Sequence, residues 1–134
     1  MCGRFTLRTP LSILAQQFLF DLSGDGHTGT LSAAWRPRYN IAPTQDVVAV
    51  RTAGTSDEPT RELAWFRWGL IPSWAKDEKI AYSTINARAD TVATKPAFRS
   101  AFRKRRCLIL VDGYYEWKPV GKLKQPYFFH FSDE

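Results

Sequence analysis

Cys107–Lys118 reads "CLILVDGYYEWK": five apolar residues in succession, an Asp-Gly step, then aromatics around a single glutamate. A short unbroken apolar run that stops at a turn pair has the pattern of a buried strand, because a surface helix would interleave polar residues every third or fourth position. The segment predicts a core strand ending at Asp112 and Gly113, with Cys107 a core residue. Downstream, "KQPYFFHFSDE" (124–134) reads as a further strand. Upstream, in "TKPAFRSAFRKRR" (94–106), Pro96 suits a helix start. Phe98, Ala101 and Phe102 then form an apolar face, and Lys95, Arg99 and Arg103 fall at i, i+4 and i+8 on another.

Further towards the N-terminus, "RELAWFRWGLIPSW" (61–74) alternates and then breaks at Gly69 and Pro72, and "YNIAPTQDVVAVR" (39–51) is extended, turned at Pro43, and continued by Val47, Val48 and Val50. The turn-rich "TAGTSDEPT" (52–60) between them makes the two runs a hairpin. Thr9 and Pro10 read as N-cap and first position of a helix whose Leu11, Leu14, Ala15 and Phe18 share one face. "DLSGDGHTGT" (21–30) is a surface loop. Its Asp21, Ser23, Asp25 and Gly26 approach a calcium loop, but the twelfth position is Ser32 and not a glutamate, and no Gly-Lys-Ser/Thr follows to cradle a phosphate. No repeat, linker or low-complexity tract divides the chain. The pattern is one α+β domain over residues 1–134 with more strand than helix, whose last strand pattern is cut off, so the domain is expected to be C-terminally incomplete.

The 134 residues are 44% hydrophobic and 14% aromatic, enough for a real core. No apolar run reaches the roughly 18 residues that a membrane span needs, and no secretory leader is present, so a soluble intracellular protein is expected. Two cysteines are too few for a disulfide framework. Nineteen Lys and Arg against 13 Asp and Glu give a net charge of +6, with six basic and no acidic residues from Lys95 to Arg106. Such an excess favours a polyanionic partner without demanding one.

The chain opens "MCGRF". An aminopeptidase removes Met1 when the second residue is small, which leaves Cys2 with a free amine beside a thiol. An α-amine of pKa about 8 is partly neutral at physiological pH and condenses with an aldehyde, and the neighbouring thiolate can then close a five-membered thiazolidine. The alternative is that Cys2 is a small buried residue of the first strand. In "STINARADT" (83–91), Asn86 and Arg88 lie two apart, on one face of an extended segment, where an amide and a guanidinium could hold a phosphate or orient a reacting oxygen. They could equally form a polar strand edge. Glu116 among aromatics is placed for proton transfer or for an ion pair. Trp74, in the turn "IPSW", either stacks on a nucleobase or folds back on the core.

Taken in order, "MCGRF", "RYNIAPTQ", "WGLIPSW", "INARADT", "KPAF" and "CLILVDGYYEWK" resemble the SRAP family of SOS response-associated peptidases, which includes abasic-site processing proteins, over essentially the whole chain. The resemblance implies a strand-rich, barrel-like mixed sheet core flanked by short helices. It implies a cytoplasmic, nucleoid-acting DNA damage protein whose Cys2 forms a thiazolidine crosslink with abasic sites in single-stranded DNA. By the same resemblance Cys2, Asn86 and Glu116 are the reacting group and its aids, and Arg88 belongs to the Asn-x-Arg motif. Arg4, Asn40, Pro43 and Trp74 flank the strand-binding cleft, to which the basic face of Lys95, Arg99 and Arg103 would add phosphate contacts. No cofactor and no metal are implied. The chain departs from the family in Asp90, where glutamate is usual, and in Ala75, where some relatives carry a second aromatic. The family's histidine motif is unmatched, since His27 sits in a loop and His130 in a preceding strand. Competing readings are a thiol peptidase acting through Cys2, a non-covalent single-strand binding module, and a glutamine amidotransferase with an N-terminal cysteine. The last lacks any second motif.

Overall fold

In the computed structural model, which describes residues 2–22, 34–55 and 57–132, the run from Cys107 to Lys118 is shared between two sheets. Seven strands form: β1 (Arg4–Leu7), β2 (Arg38–Ile41), β3 (Asp46–Gly54), β4 (Pro59–Arg67), β5 (Cys107–Ile109), β6 (Gly113–Val120) and β7 (Leu123–His130). One sheet has the order β2-β1-β6-β7, the other β4-β3-β5. Every pairing is antiparallel. The helices are α1 (Leu11–Phe18), α2 (Arg99–Lys104) and a 3-10 turn at Glu78–Ser83. The α+β class thus holds, with two separate antiparallel sheets and no closed barrel among the described residues.

The expected single buried strand at Cys107–Asp112 is corrected. Cys107–Ile109 continues the second sheet on the edge of β3, and all three residues are exposed, Cys107 included. The ladder runs on through Leu110 N–H to the Val48 carbonyl (3.2 Å), and two residues later Asp112 N–H donates to Thr6 in β1 (2.9 Å). Only Leu110, at the junction, is buried. The run is apolar because its middle enters the core between the sheets. Its ends lie on sheet surfaces over which the described residues lay no second layer. The same holds for β7, every residue of which is exposed, including the aromatics Tyr127, Phe128 and Phe129. Gly113, the first residue after the crossing, is required by close approach: a Cβ there would lie 2.5 Å from the Phe128 ring and 2.6 Å from the Phe129 carbonyl.

The core gathers Phe5 and Leu7 of β1, Leu11 and Leu14 of α1, Ile41, and Val47, Val48 and Val50 of β3. Each such side chain contributes about 1.5–3 kcal/mol by burial. The β3–β4 hairpin forms as the alternation predicts, in register from Asp46↔Arg67 to Gly54↔Pro59. Two helix starts are corrected. Pro10, not Thr9, occupies the N-cap of α1, and it makes no side-chain cap bond. Thr9 instead donates its hydroxyl to Asp112 (2.6 Å), whose carboxylate also accepts the backbone N–H groups of Arg8 and Thr9. α2 begins at Arg99 and not at Pro96, so Lys95 lies in the preceding turn; Phe98 is buried, but Phe102 is 40% exposed. The reading of 21–30 as a loop falls almost wholly outside the described residues. Among the described residues no helix is long and apolar enough to cross a membrane.

Candidate functional site

Cys2 lies two residues before the start of β1, and the register of β1 bears on what surrounds it. Arg4 pairs with Tyr115, Phe5 with Tyr114 and Thr6 with Gly113. The ladder thus ends with Arg4, two residues after Cys2, opposite the neighbour of Glu116. Cys2 is half-buried against the hydrophobic core, with its thiol directed to the Arg4 carbonyl (3.6 Å). Burial pushes the thiol pKa up. The hydrogen bond to Arg4 pulls it down, and the negative charge of Glu116 adds to the rise, which places the carboxylate within electrostatic reach of the sulfur.

The Cys2 main chain is fixed from the other side. Asn86 Nδ2 donates to the Cys2 carbonyl at 2.8 Å. Residues 84–88 belong to no strand of either sheet, so Asn86 and Arg88 lie on no sheet face or edge. The segment is hung instead on residues 68–70: the Trp68 indole donates to Ile85 (2.8 Å), Thr84 Oγ1 to Leu70 (2.6 Å), and Leu70 N–H to Thr84 (3.4 Å). Gly69 is obligatory in this clasp. Its φ is +125°, and a Cβ would stand 2.6 Å from the Ala81 carbonyl.

Arg88 forks onto Asp90, Nη2 to Oδ2 at 2.7 Å and Nε to Oδ1 at 3.1 Å, and both side chains are exposed. The guanidinium holds the Asp90 carboxyl below the usual carboxylate range. Asp90 thus forms the ion pair expected of it, and it occupies the cation that was expected to face phosphate. Arg4 Nη1 donates to Asn40 Oδ1 (2.8 Å), joining β1 to β2 at the sheet surface beside Tyr115. Pro43 is half-buried in the turn after β2, followed by Thr44 with φ of 70°. That turn is pinned by Thr44 N–H to Trp68 O (2.8 Å) and Trp68 N–H to Gln45 O (2.9 Å).

Trp74 is 59% exposed and does not fold back on the core. It borders an open hollow of about 440 Å³ with Ala75, Lys76, Asp77 and Ile80. Glu116 borders another of about 330 Å³ with Trp117, Lys118, Tyr127 and Phe129. Lys95 sits over the Phe98 ring (5.8 Å), and Arg99 and Arg103 lie on exposed α2. Among the described residues Cys2 bonds to Arg4 and Asn86, and no hydrogen bond or ion pair links these three cations to it. Among the described residues no group of three or more His, Cys, Asp or Glu is placed to hold a metal ion. Two contributors went unread in the sequence: Trp68, signalled only by its place before Gly69, and Asp112, which has the look of a turn residue.

Comparison with known proteins finds relatives of the chain. A family model described as SOS response associated peptidase (SRAP) matches residues 1–134. The chain is 44% identical over 127 residues to the abasic site processing protein YoaM of Bacillus subtilis, covering 94% of this chain and 52% of that protein. It is 37% identical over 108 residues to the abasic site processing protein HMCES of Xenopus tropicalis, covering 75% of this chain and 32% of that one. A crystal structure of a protein from Bacteroides thetaiotaomicron superposes with a TM-score of 0.74 at 28% identity, over 99% of this chain and 56% of that one. The chain spans about half the length of the Bacillus relatives it matches. With the family match running from the first residue to the last, the chain belongs to the SRAP family.

Proposed function

We propose that the chain carries a centre for covalent capture of abasic sites in single-stranded DNA, acting in the DNA damage response. The observation that carries the reading is the Asn86 bond to the Cys2 carbonyl: it immobilises the nucleophilic residue through its main chain and leaves the α-nitrogen and the thiol to react. The relatives named abasic site processing proteins supply the substrate class.

With Met1 removed, the Cys2 amine attacks the aldehyde carbon of the ring-opened sugar. The carbinolamine loses water, with the Glu116 carboxylate relaying a proton from the nitrogen to the departing hydroxyl, and an imine remains. Cys2 Sγ adds to the imine carbon, its proton passes to the nitrogen, and a thiazolidine closes. Aldehyde and cysteine give ring and water, with no redox change. Arg4 with Asn40, and Arg88 once it leaves Asp90, serve the sugar-phosphate, and Trp74 offers an exposed ring for base stacking. Residues 1–134 act as the cysteine-bearing portion of a longer SRAP domain, a reading supported by the length of the relatives and by the exposed aromatic surface of β7.

The test is an abasic oligonucleotide resolved on a denaturing gel. The processed chain should give a stable adduct, Cys2→Ala an imine trapped only by borohydride, and a Met1-retaining chain none. A stable adduct from the Met1-retaining chain would overturn the thiazolidine route. It would favour the second reading, a thiol peptidase, which the family description itself supports and whose minimal substrate is the Met1–Cys2 bond.

A further inference from the structure

We infer that Trp68 is the positioning residue of this centre, holding Asn86 and Cys2 in mutual reach; the inference rests on the proposed capture reaction. Trp68 is 8% exposed and touches each of the parts that must meet. Its ring packs on Phe5, three residues after Cys2, at 5.2 Å between centroids and 52° between planes. Its indole N–H donates to the carbonyl of Ile85, the residue before Asn86, at 2.8 Å. Its own backbone N–H and carbonyl bind Gln45 and Thr44, in the turn that holds Pro43.

Strand β1, which follows Cys2, and the loop bearing Asn86 have no regular pairing with each other. One is a strand and the other irregular. Their relative placement therefore depends on side chains, and Trp68, besides Asn86 itself, grips both. Its indole has a single donor and no acceptor, so the bond to Ile85 O has one polarity and cannot be replaced by rotation. Losing it leaves the Ile85 carbonyl short of a partner in a half-buried setting and frees the Thr84–Asn86 segment to shift by the fraction of an ångström that matters for a reacting group.

The experiment replaces Trp68→Phe in the processed chain and measures the rate of adduct formation with abasic single-stranded DNA, affinity for undamaged single-stranded DNA, and solvent exchange of the Asn86 side-chain amide by NMR. The expected result is adduct formation slower by about 10- to 100-fold, unchanged affinity for undamaged DNA, and faster exchange at Asn86 Nδ2. In the Asn86→Ala background, Trp68→Phe should bring no further loss, because its effect passes through the missing amide. Multiplying losses, or a wild-type rate in the single variant, would overturn the inference. If Trp68→Phe fails to fold, benzothienylalanine at position 68 keeps the bicyclic packing and removes only the donor, and the same outcomes decide. If the unmodified chain forms no adduct, the capture reading falls, while the exchange rate at Asn86 still decides the role of Trp68.

Discussion

Cys2 and Asn86 are 84 residues apart in sequence and 2.8 Å apart between the Cys2 carbonyl oxygen and the Asn86 amide nitrogen. Asn86→Ala is expected to slow adduct formation by about 10- to 100-fold at a stability cost of about 1 kcal/mol. Asn86→Asp, which puts an acceptor against an acceptor, should be slower still. Rate measurements on processed protein at saturating DNA check this, and wild-type rates in both variants would show that the bond is idle.

The raised thiol pKa of Cys2 has a definite sign in solution. Desolvation comes first among its causes, and the charge of Glu116 acts in the same direction. Less thiolate is then present at neutral pH, so alkylation of Cys2 by iodoacetamide should keep accelerating as pH rises through the ordinary thiol range. Glu116→Gln removes one raising cause and should speed alkylation at pH 7.5 while slowing adduct formation. Alkylation that has already levelled off at neutral pH would contradict the assignment.

Asp112 binds the end of β1 to the segment that crosses between the sheets, accepting from Arg8 N–H, Thr9 N–H and Thr9 Oγ1 with its carboxyl 5% exposed. Asp112→Ala should cost about 3 kcal/mol, and Asp112→Asn less, because the amide oxygen can still accept. Urea denaturation should show a lower midpoint with an unchanged slope.

The Arg88–Asp90 fork predicts a gain of function. Asp90→Ala should free the guanidinium, tighten binding of single-stranded DNA and steepen its salt dependence by about 0.7 in log–log slope. Replacing Lys95, Arg99 and Arg103 together by alanine should flatten that slope by about 2 if each meets one phosphate. An unaltered slope in the triple variant would make α2 a solvated face and nothing more.

What the sequence discloses here is what depends on near neighbours. The β3–β4 hairpin and the apolar side of α1 are written in local period, and both are found where the pattern puts them. Leu108 and Leu110 have the same chemistry, yet one is 61% exposed and the other 2%. Apolar succession cannot say that a chain changes sheets between them. Thr9 is a good N-cap by type, but a carboxylate 103 residues away is the better acceptor. The candidate site divides in the same way. Cys2, Asn86, Arg88 and Glu116 stand out by residue type and motif. The target of Asn86 does not, because a main-chain carbonyl carries no letter of its own, and neither does the grip of Trp68 on Ile85.

The pairing of β1 with β6 also sets an order of events during synthesis. β1 can meet β2 once residue 41 is made, but its other edge waits for Gly113–Tyr115. At about 5–20 residues per second that delay is on the order of ten seconds. For that interval the strand behind Cys2 has an open edge, and for the first part of it Asn86 has yet to be made. On the proposed capture reaction, an aminopeptidase working at the ribosome would meet the Met1–Cys2 bond before the fold has closed around Cys2, and exposure of the amine would be a matter of translation timing as much as of enzyme specificity.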